Sequence, residues 1–275
     1  YWITEAGIDG WRLDVAHEIA PDFWWEFRRV CKEANPTCFL LGEVIHGDYR
    51  TWIADDLLDS GTDYQLYKST IGAFNSRNQW ELRAALERAY SPEYGVYADM
   101  QMMTFLGNHD VSRIRSALKD ERHVYPALIT LLTMPGIPCL YYGDETGMEG
   151  RKEDGDTALR APMPAPTAEW PDAERSLYRE TARLVALRKA HPALQTGSCR
   201  VLETGPAFLS YLRAEDGQLI VCAINADDQP AQVRIALSRV GVADGTVFYD
   251  VLNPDHGGFA VQNGALNLEV FPLWG

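Results

Sequence analysis

The chain has 275 residues, 46% hydrophobic and 11% aromatic, enough for a large core and for one big domain plus a smaller one. Its 25 basic and 39 acidic residues give a net charge of −14, which makes nucleic acid and anionic membranes poor partners. No apolar run approaches ~18 residues, so the sequence holds no membrane-spanning helix.

Short apolar runs alternate with helical patterns. Residues 8–14 read as the first strand. Residues 21–34 follow as a helix with Pro21 near its start and Phe23, Phe27, Val30, Cys31 and Ala34 on one face. "CFLLGEV" (38–44) reads as a fully buried strand. A short helix is expected near 48–58, a strand near 62–67 and a helix over 79–90. "MQMMTFLGNHD" (100–110) is an apolar strand ending in polar residues. Residues 121–134 read as a helix, "PCLYYGDE" (138–145) as a strand, and 173–190 as a helix after a loop rich in Gly, Pro and charge. Strand–helix alternation implies parallel βα units with five strands. After residue 191 the pattern changes to "AFLSYLRA", "QLIVCAIN", "AQVRIAL", "GTVFYDV" and "ALNLEVFPL", which predicts an antiparallel β-sandwich over 191–275 behind an α/β domain over 1–190.

Cys31, Cys38, Cys139, Cys199 and Cys222 are odd in number and form no CxxC, so they read as mostly buried thiols of a reduced, cytoplasmic protein. The histidines are scattered and no HExxH occurs, so no metal site or organic cofactor is expected in this chain.

Three strand ends carry acids. Asp14 follows "GWRL", Glu43 follows "FLLG", and His109 and Asp110 follow "FLGN". Singly, a strand-end Asp such as Asp14 is more often a turn or helix-cap residue, Glu43 reads also as an exposed loop residue, and "NHD" as a turn with a capping Asp. Together they fall on the face of a βα barrel where catalytic groups converge. Three such carboxylates suit glycoside hydrolysis: one attacks the anomeric carbon, one protonates the leaving oxygen, and one stabilises the developing positive charge. Positions i and i+2 of a strand share a side, so Arg12 points with Asp14 and can keep it ionised.

"GIDGWRLDVAHE", "LLGEV", "FLGNHD" and "PGIPCLYYGDE" resemble, in order, the successive motifs of the α-amylase family of glycoside hydrolases (family 13). The resemblance covers residues 1 to about 190 and implies a (β/α)8 TIM barrel acting on α-glucosidic bonds with retention. It also implies Asp14 as nucleophile, Glu43 as general acid/base and Asp110 as the transition-state-stabilising carboxylate, with Arg12 beside the nucleophile and His109 on sugar hydroxyls. The first motif belongs to the family's fourth strand. The chain is therefore expected to hold strands four to eight of a partial barrel plus the all-β domain, as a fragment, a truncated product or one half of an assembly completed by a missing N-terminal half or a homodimer partner.

"DGWRLDVAHE" followed by "FWWEFRR" is most similar to the cyclomaltodextrinase and neopullulanase branch. Glu18 is kept there, while His17 stands where that branch has Asn. His17 either lines the leaving-group subsite or packs at a helix start. His46 lines the same pocket or lies in an exposed loop. Asp144 and Arg160 either contact sugar at the nonreducing end or form a salt bridge that pins a loop. Many family members bind calcium, partly through segments this chain lacks. The expected partner is an oligosaccharide or polysaccharide α-glucan, and the expected activity is hydrolysis or transfer. A family isomerase or sucrose-type enzyme is a second enzymatic reading. An inactive remnant that binds sugar or acts as a scaffold is the alternative from another class.

Overall fold

The computed structural model describes residues 1–163 and 170–275. Five short parallel strands come first: β1 (Gly10–Leu13), β2 (Phe39–Gly42), β3 (Ser60–Gly61), β4 (Met103–Phe105) and β5 (Ile137–Cys139). β1 pairs with β2, β2 with β3, and β4 with β5, all parallel. A parallel bridge between Thr62 and Met103 joins the two sheets, and Asp63 N–H donates to Met103 O at 2.8 Å. The strands thus run β1-β2-β3-β4-β5 in one direction, and no sheet closes on itself among the described residues. All five C-terminal ends lie at one rim.

The helices explain the spacing. α1 (Pro21–Ala34) buries Trp24 and Cys31, with Phe27 partly covered. Its expected face is rotated: Phe23 and Val30 are exposed because Trp24 turns inward and donates its indole N–H to Ala16 O at 3.0 Å. The strand expected over 62–67 is a correction. Only Ser60–Gly61 is extended there, and α2 (Tyr64–Ser76) begins at once. Asp63 caps it by accepting from Leu66 N–H at 2.9 Å, and Leu66, Thr70, Ala73 and Phe74 form its buried stripe. α3 (Gln79–Tyr90) packs against α2. α4 (Val124–Thr133) is buried on all sides, because the second half of the chain covers its outer face. α5 (Asp172–Ala190) buries Thr181, Leu184 and Arg188. The 48–58 segment yields only a single 3-10 turn, Tyr49–Thr51.

Parallel pairing stops at Cys139 and antiparallel pairing starts at Ser198. β6 (Ser198–Thr204), β7 (Phe208–Glu215) and β8 (Gln218–Asn225) form one sheet. β9 (Ala231–Ala236) pairs with β12 (Ala265–Val270), and β10 (Val247–Tyr249) with β11 (Gly258–Ala260). Phe208, Ile235, Leu237, Val261, Leu266 and Val270 fill the space between the first two sheets. β6 and β11 lie outside the expected strands, and Pro192–Gln195 is a short helix where none was expected.

The larger core crosses the change of architecture. Leu128, Leu132 and Leu184 belong to the same cluster as Leu209, Tyr211 and Ile224. Two buried arginines stitch this joint. Arg188 donates to Leu132 O at 2.9 Å, Met134 O at 3.0 Å and Gly136 O at 2.5 Å. Arg213 donates to Thr133 O at 2.6 Å, Gly197 O at 2.8 Å and Ser198 O at 3.3 Å. Both guanidiniums sit on the carbonyl end of α4, where the helix dipole favours cations.

Candidate active site

The rim is built from the first polar residues after three parallel strands. β1 ends at Leu13 and presents Asp14. β2 ends at Gly42 and presents Glu43, whose N–H donates to Leu13 O at 2.8 Å. At Gly42 a Cβ would lie 2.5 Å from Leu58 Cδ1 and 3.1 Å from Ala16 Cβ, so any larger residue has to displace the buried Leu58 side chain. β4 ends at Phe105, and the turn behind it carries Asn108, His109 and Asp110.

Arg12 joins two of these acids. One guanidinium nitrogen donates to Asp14 Oδ1, and the other reaches Glu43 Oε1 at 2.8 Å. The carboxylates differ in exposure: the Asp14 side chain is 71% exposed and that of Glu43 only 6%. The adjacent Arg12 holds the Asp14 carboxyl below the usual carboxylate range, with a smaller pull from His109. Glu43 also accepts from the backbone N–H of Val15 at 3.1 Å. Val15 has φ 45° and ψ 37°, a left-handed backbone that a β-branched residue seldom adopts.

Asp110 stands across the rim. Its Oδ2 lies 3.1 Å from His109 Nε2, and its Oδ1 accepts from Arg160 at 3.1 Å. Arg160 also pairs with Asp156 at 3.3 Å. Asn108 Oδ1 accepts from the N–H of Asp110 at 2.8 Å and of Val111 at 3.1 Å, which shapes the turn. His17 faces the Glu43 carbonyl at 3.3 Å and packs edge-to-face on His46 at 4.7 Å; Glu18 is exposed on the same short turn as His17, and His46 is exposed after Glu43.

Asp144 departs from the sugar-contact reading. It is 1% exposed, and its cation is Arg113 at 3.9 Å, not Arg160. Burial pushes its carboxyl up to about 7, against the pull of Arg113. Residues 107–110 and 141–144 belong to adjacent strand ends, so an acid at 144 is closed over by the neighbouring turn.

Tyr64 was missed from the sequence. Its hydroxyl lies 3.5 Å from Glu43 Oε1 and accepts from Asn108 Nδ2 at 3.0 Å, linking the second and third acid-bearing strand ends. The signal for it was Asp63, a helix cap that places the next residue at the rim. Among the described residues, no three His, Cys, Asp or Glu side chains group to hold a metal ion. No described helix is long and apolar enough to cross a membrane.

A family model of the alpha-amylase catalytic domain matches residues 1–169, more than half of the chain. The chain belongs to the α-amylase family. Within the α-amylase family it is 35% identical to a cyclomaltodextrinase of a Bacillus species, over 82% of this chain and 40% of that one. It is 30% identical to neopullulanase 2 of Thermoactinomyces vulgaris, over 100% of this chain and 46% of the relative. A solved cyclomaltodextrinase matches with a TM-score of 0.82 at 30% identity, covering 99% of this chain and 45% of that structure. The chain spans less than half the length of these α-amylase family relatives.

Proposed function

We propose that the chain supplies the acid-bearing half of a retaining glycoside hydrolase or transglycosylase that acts on α-glucosidic bonds of α-glucans or maltooligosaccharides. Asp14 attacks the anomeric carbon while Glu43 gives its proton to the leaving oxygen. Glu43 then takes a proton from water or an acceptor sugar, whose oxygen displaces Asp14. Asp110 and His109 face the developing charge and the sugar hydroxyls. The observation that carries this reading is Arg12, which grips Asp14 and Glu43 from one guanidinium at adjacent parallel strand ends.

The five parallel strands fit strands four to eight of an eightfold barrel, and the three antiparallel sheets fit a β-sandwich domain. The β1 and β5 edges then take further strands, from a longer polypeptide or a partner copy. Calcium, where the complete enzyme uses it, is held in part by those further segments. Five free thiols support a reducing, cytoplasmic location. The test is reducing-sugar release from maltoheptaose, β-cyclodextrin and pullulan. Asp14→Asn and Glu43→Gln should each lower kcat by roughly 10³-fold or more while melting normally. Either variant keeping most of the activity would remove the assignment.

A further inference from the structure

The turn after β4 is held at both ends. At its start, Asn108 is tied to Tyr64 and so to Glu43. At its end stands Arg113, fully buried, with its guanidinium 4.5 Å and 4.8 Å from the ring centres of Tyr141 and Tyr142. Its Nη1 donates to Tyr142 O at 2.7 Å, and its backbone N–H to Gly150 O at 2.9 Å. Asp144 reaches back under the same turn: its Oδ2 would be 3.5 Å from a Cβ on Gly107. Asp110 lies between these two anchor points.

As a source of stability the pair is poor. At 3.9 Å the two charges are close without sharing a hydrogen bond. Arg113 Nε and Nη2 and Asp144 Oδ1 have no partner although all are buried. Two ions taken out of water, with three polar atoms unmet, cost the fold more than their attraction returns. Geometry remains as their contribution. Arg113 is three residues from Asp110 in sequence and belongs to the same turn. Asp144 belongs to the next strand end. Together they lock one loop to the other beneath the rim.

We propose that Arg113 and Asp144 are a buried positioning pair that fixes the 107–110 turn, and so sets Asp110 and His109 opposite Asp14 and Glu43. The proposal rests on the glycosidase reading for its role in turnover, and on geometry alone for its role in the turn. Neither residue touches substrate: both lie under the rim.

The test uses the chain together with the further strands that complete the barrel, in three variants: Asp144→Asn, Arg113→Met, and the double Arg113→Met/Asp144→Leu. Each single change strands a buried partner and lowers both Tm and kcat. The double change removes both charges, so Tm returns to or above the parent value. Its kcat stays roughly 10- to 100-fold down, because the turn has lost its anchor. KM stays within about threefold, since no substrate contact is removed. A double variant whose kcat recovers to the parent value overturns the proposal.

A second readout needs no turnover. The His109 ring is faced by Asp110 and, across the rim, by Asp14, while Arg160 holds its backbone carbonyl. In the double variant its ring proton NMR signals should move from their parent positions at fixed pH as Asp110 shifts away. Unmoved ring signals overturn the pair whether or not the parent is active. A barrel completed by its further strands that hydrolyses none of the three glucans overturns the functional reading instead.

Discussion

The two arginines on the end of α4 allow a prediction with a worked magnitude. Arg213 is fully buried and is matched by carbonyls, with no carboxylate among its hydrogen-bond partners. Two of its three bonds are short, at 2.6 and 2.8 Å, and one is long, at 3.3 Å. Charge-assisted bonds of this kind contribute about 1.5–3 kcal/mol each, and a cation at a partly buried helix end adds up to about 2 kcal/mol. Against this stand the desolvation of the guanidinium and repulsion from Arg188, whose own pKa burial and Arg213 bring down to about 10. Allowing the opposing terms roughly half of the gross gain, Arg213→Met should cost about 2–4 kcal/mol. For a chain of this size that is a Tm loss of roughly 5–15 °C by differential scanning calorimetry. Arg213→Lys keeps the charge but reaches fewer carbonyls, so it should fall between parent and Met. A Met variant that melts within about 2 °C of the parent would refute the clamp. A Lys variant equal to the parent would show that charge acts there and the fork does not.

Two further outcomes follow from the rim and its base. Asp144 is faced by Arg113, by Glu145 of its own turn, by Tyr67 of α2 and by Cys139 of β5. Its carboxyl titrates at about 7 when folded, against an ordinary value of 3.8, so the native state binds the extra proton. That stability is complete below pH ~4 and is lost as pH rises through ~7, by up to about 4 kcal/mol. Urea unfolding from pH 4 to 8 should show this falling limb in the parent and not in Asp144→Asn. Tyr64→Phe removes the hydroxyl between Glu43 and Asn108 while keeping the ring edge-to-face with Phe105. Its kcat on maltoheptaose should drop about 10-fold with little change in Tm, and an unaltered kcat would remove Tyr64 from the site.

The rim was legible in the sequence because buried parallel strands are continuous apolar runs. Whatever polar residue ends such a run must stand at the sheet's edge, as Asp14 and Glu43 do. Tyr64 was not legible because Asp63, Tyr64, Gln65 and Leu66 alternate polar and apolar over too short a stretch. Two-residue and helical periods agree there, and the cap at Asp63 decides between them. The Arg113–Asp144 pair has no local signature at all. Its burial depends on Tyr141 and Tyr142 closing over a guanidinium from another loop. The α1 face was misread for a similar reason, since Trp24 turns inward to meet Ala16 O.

The left-handed backbone at Val15 has a consequence for how this chain can change. A β-branched residue there holds roughly 1–3 kcal/mol of strain, which glycine would release. Glycine would also free the peptide that now points its N–H at Glu43. Laboratory selection for heat endurance and laboratory selection for turnover therefore pull position 15 in opposite directions, glycine for the first and valine for the second.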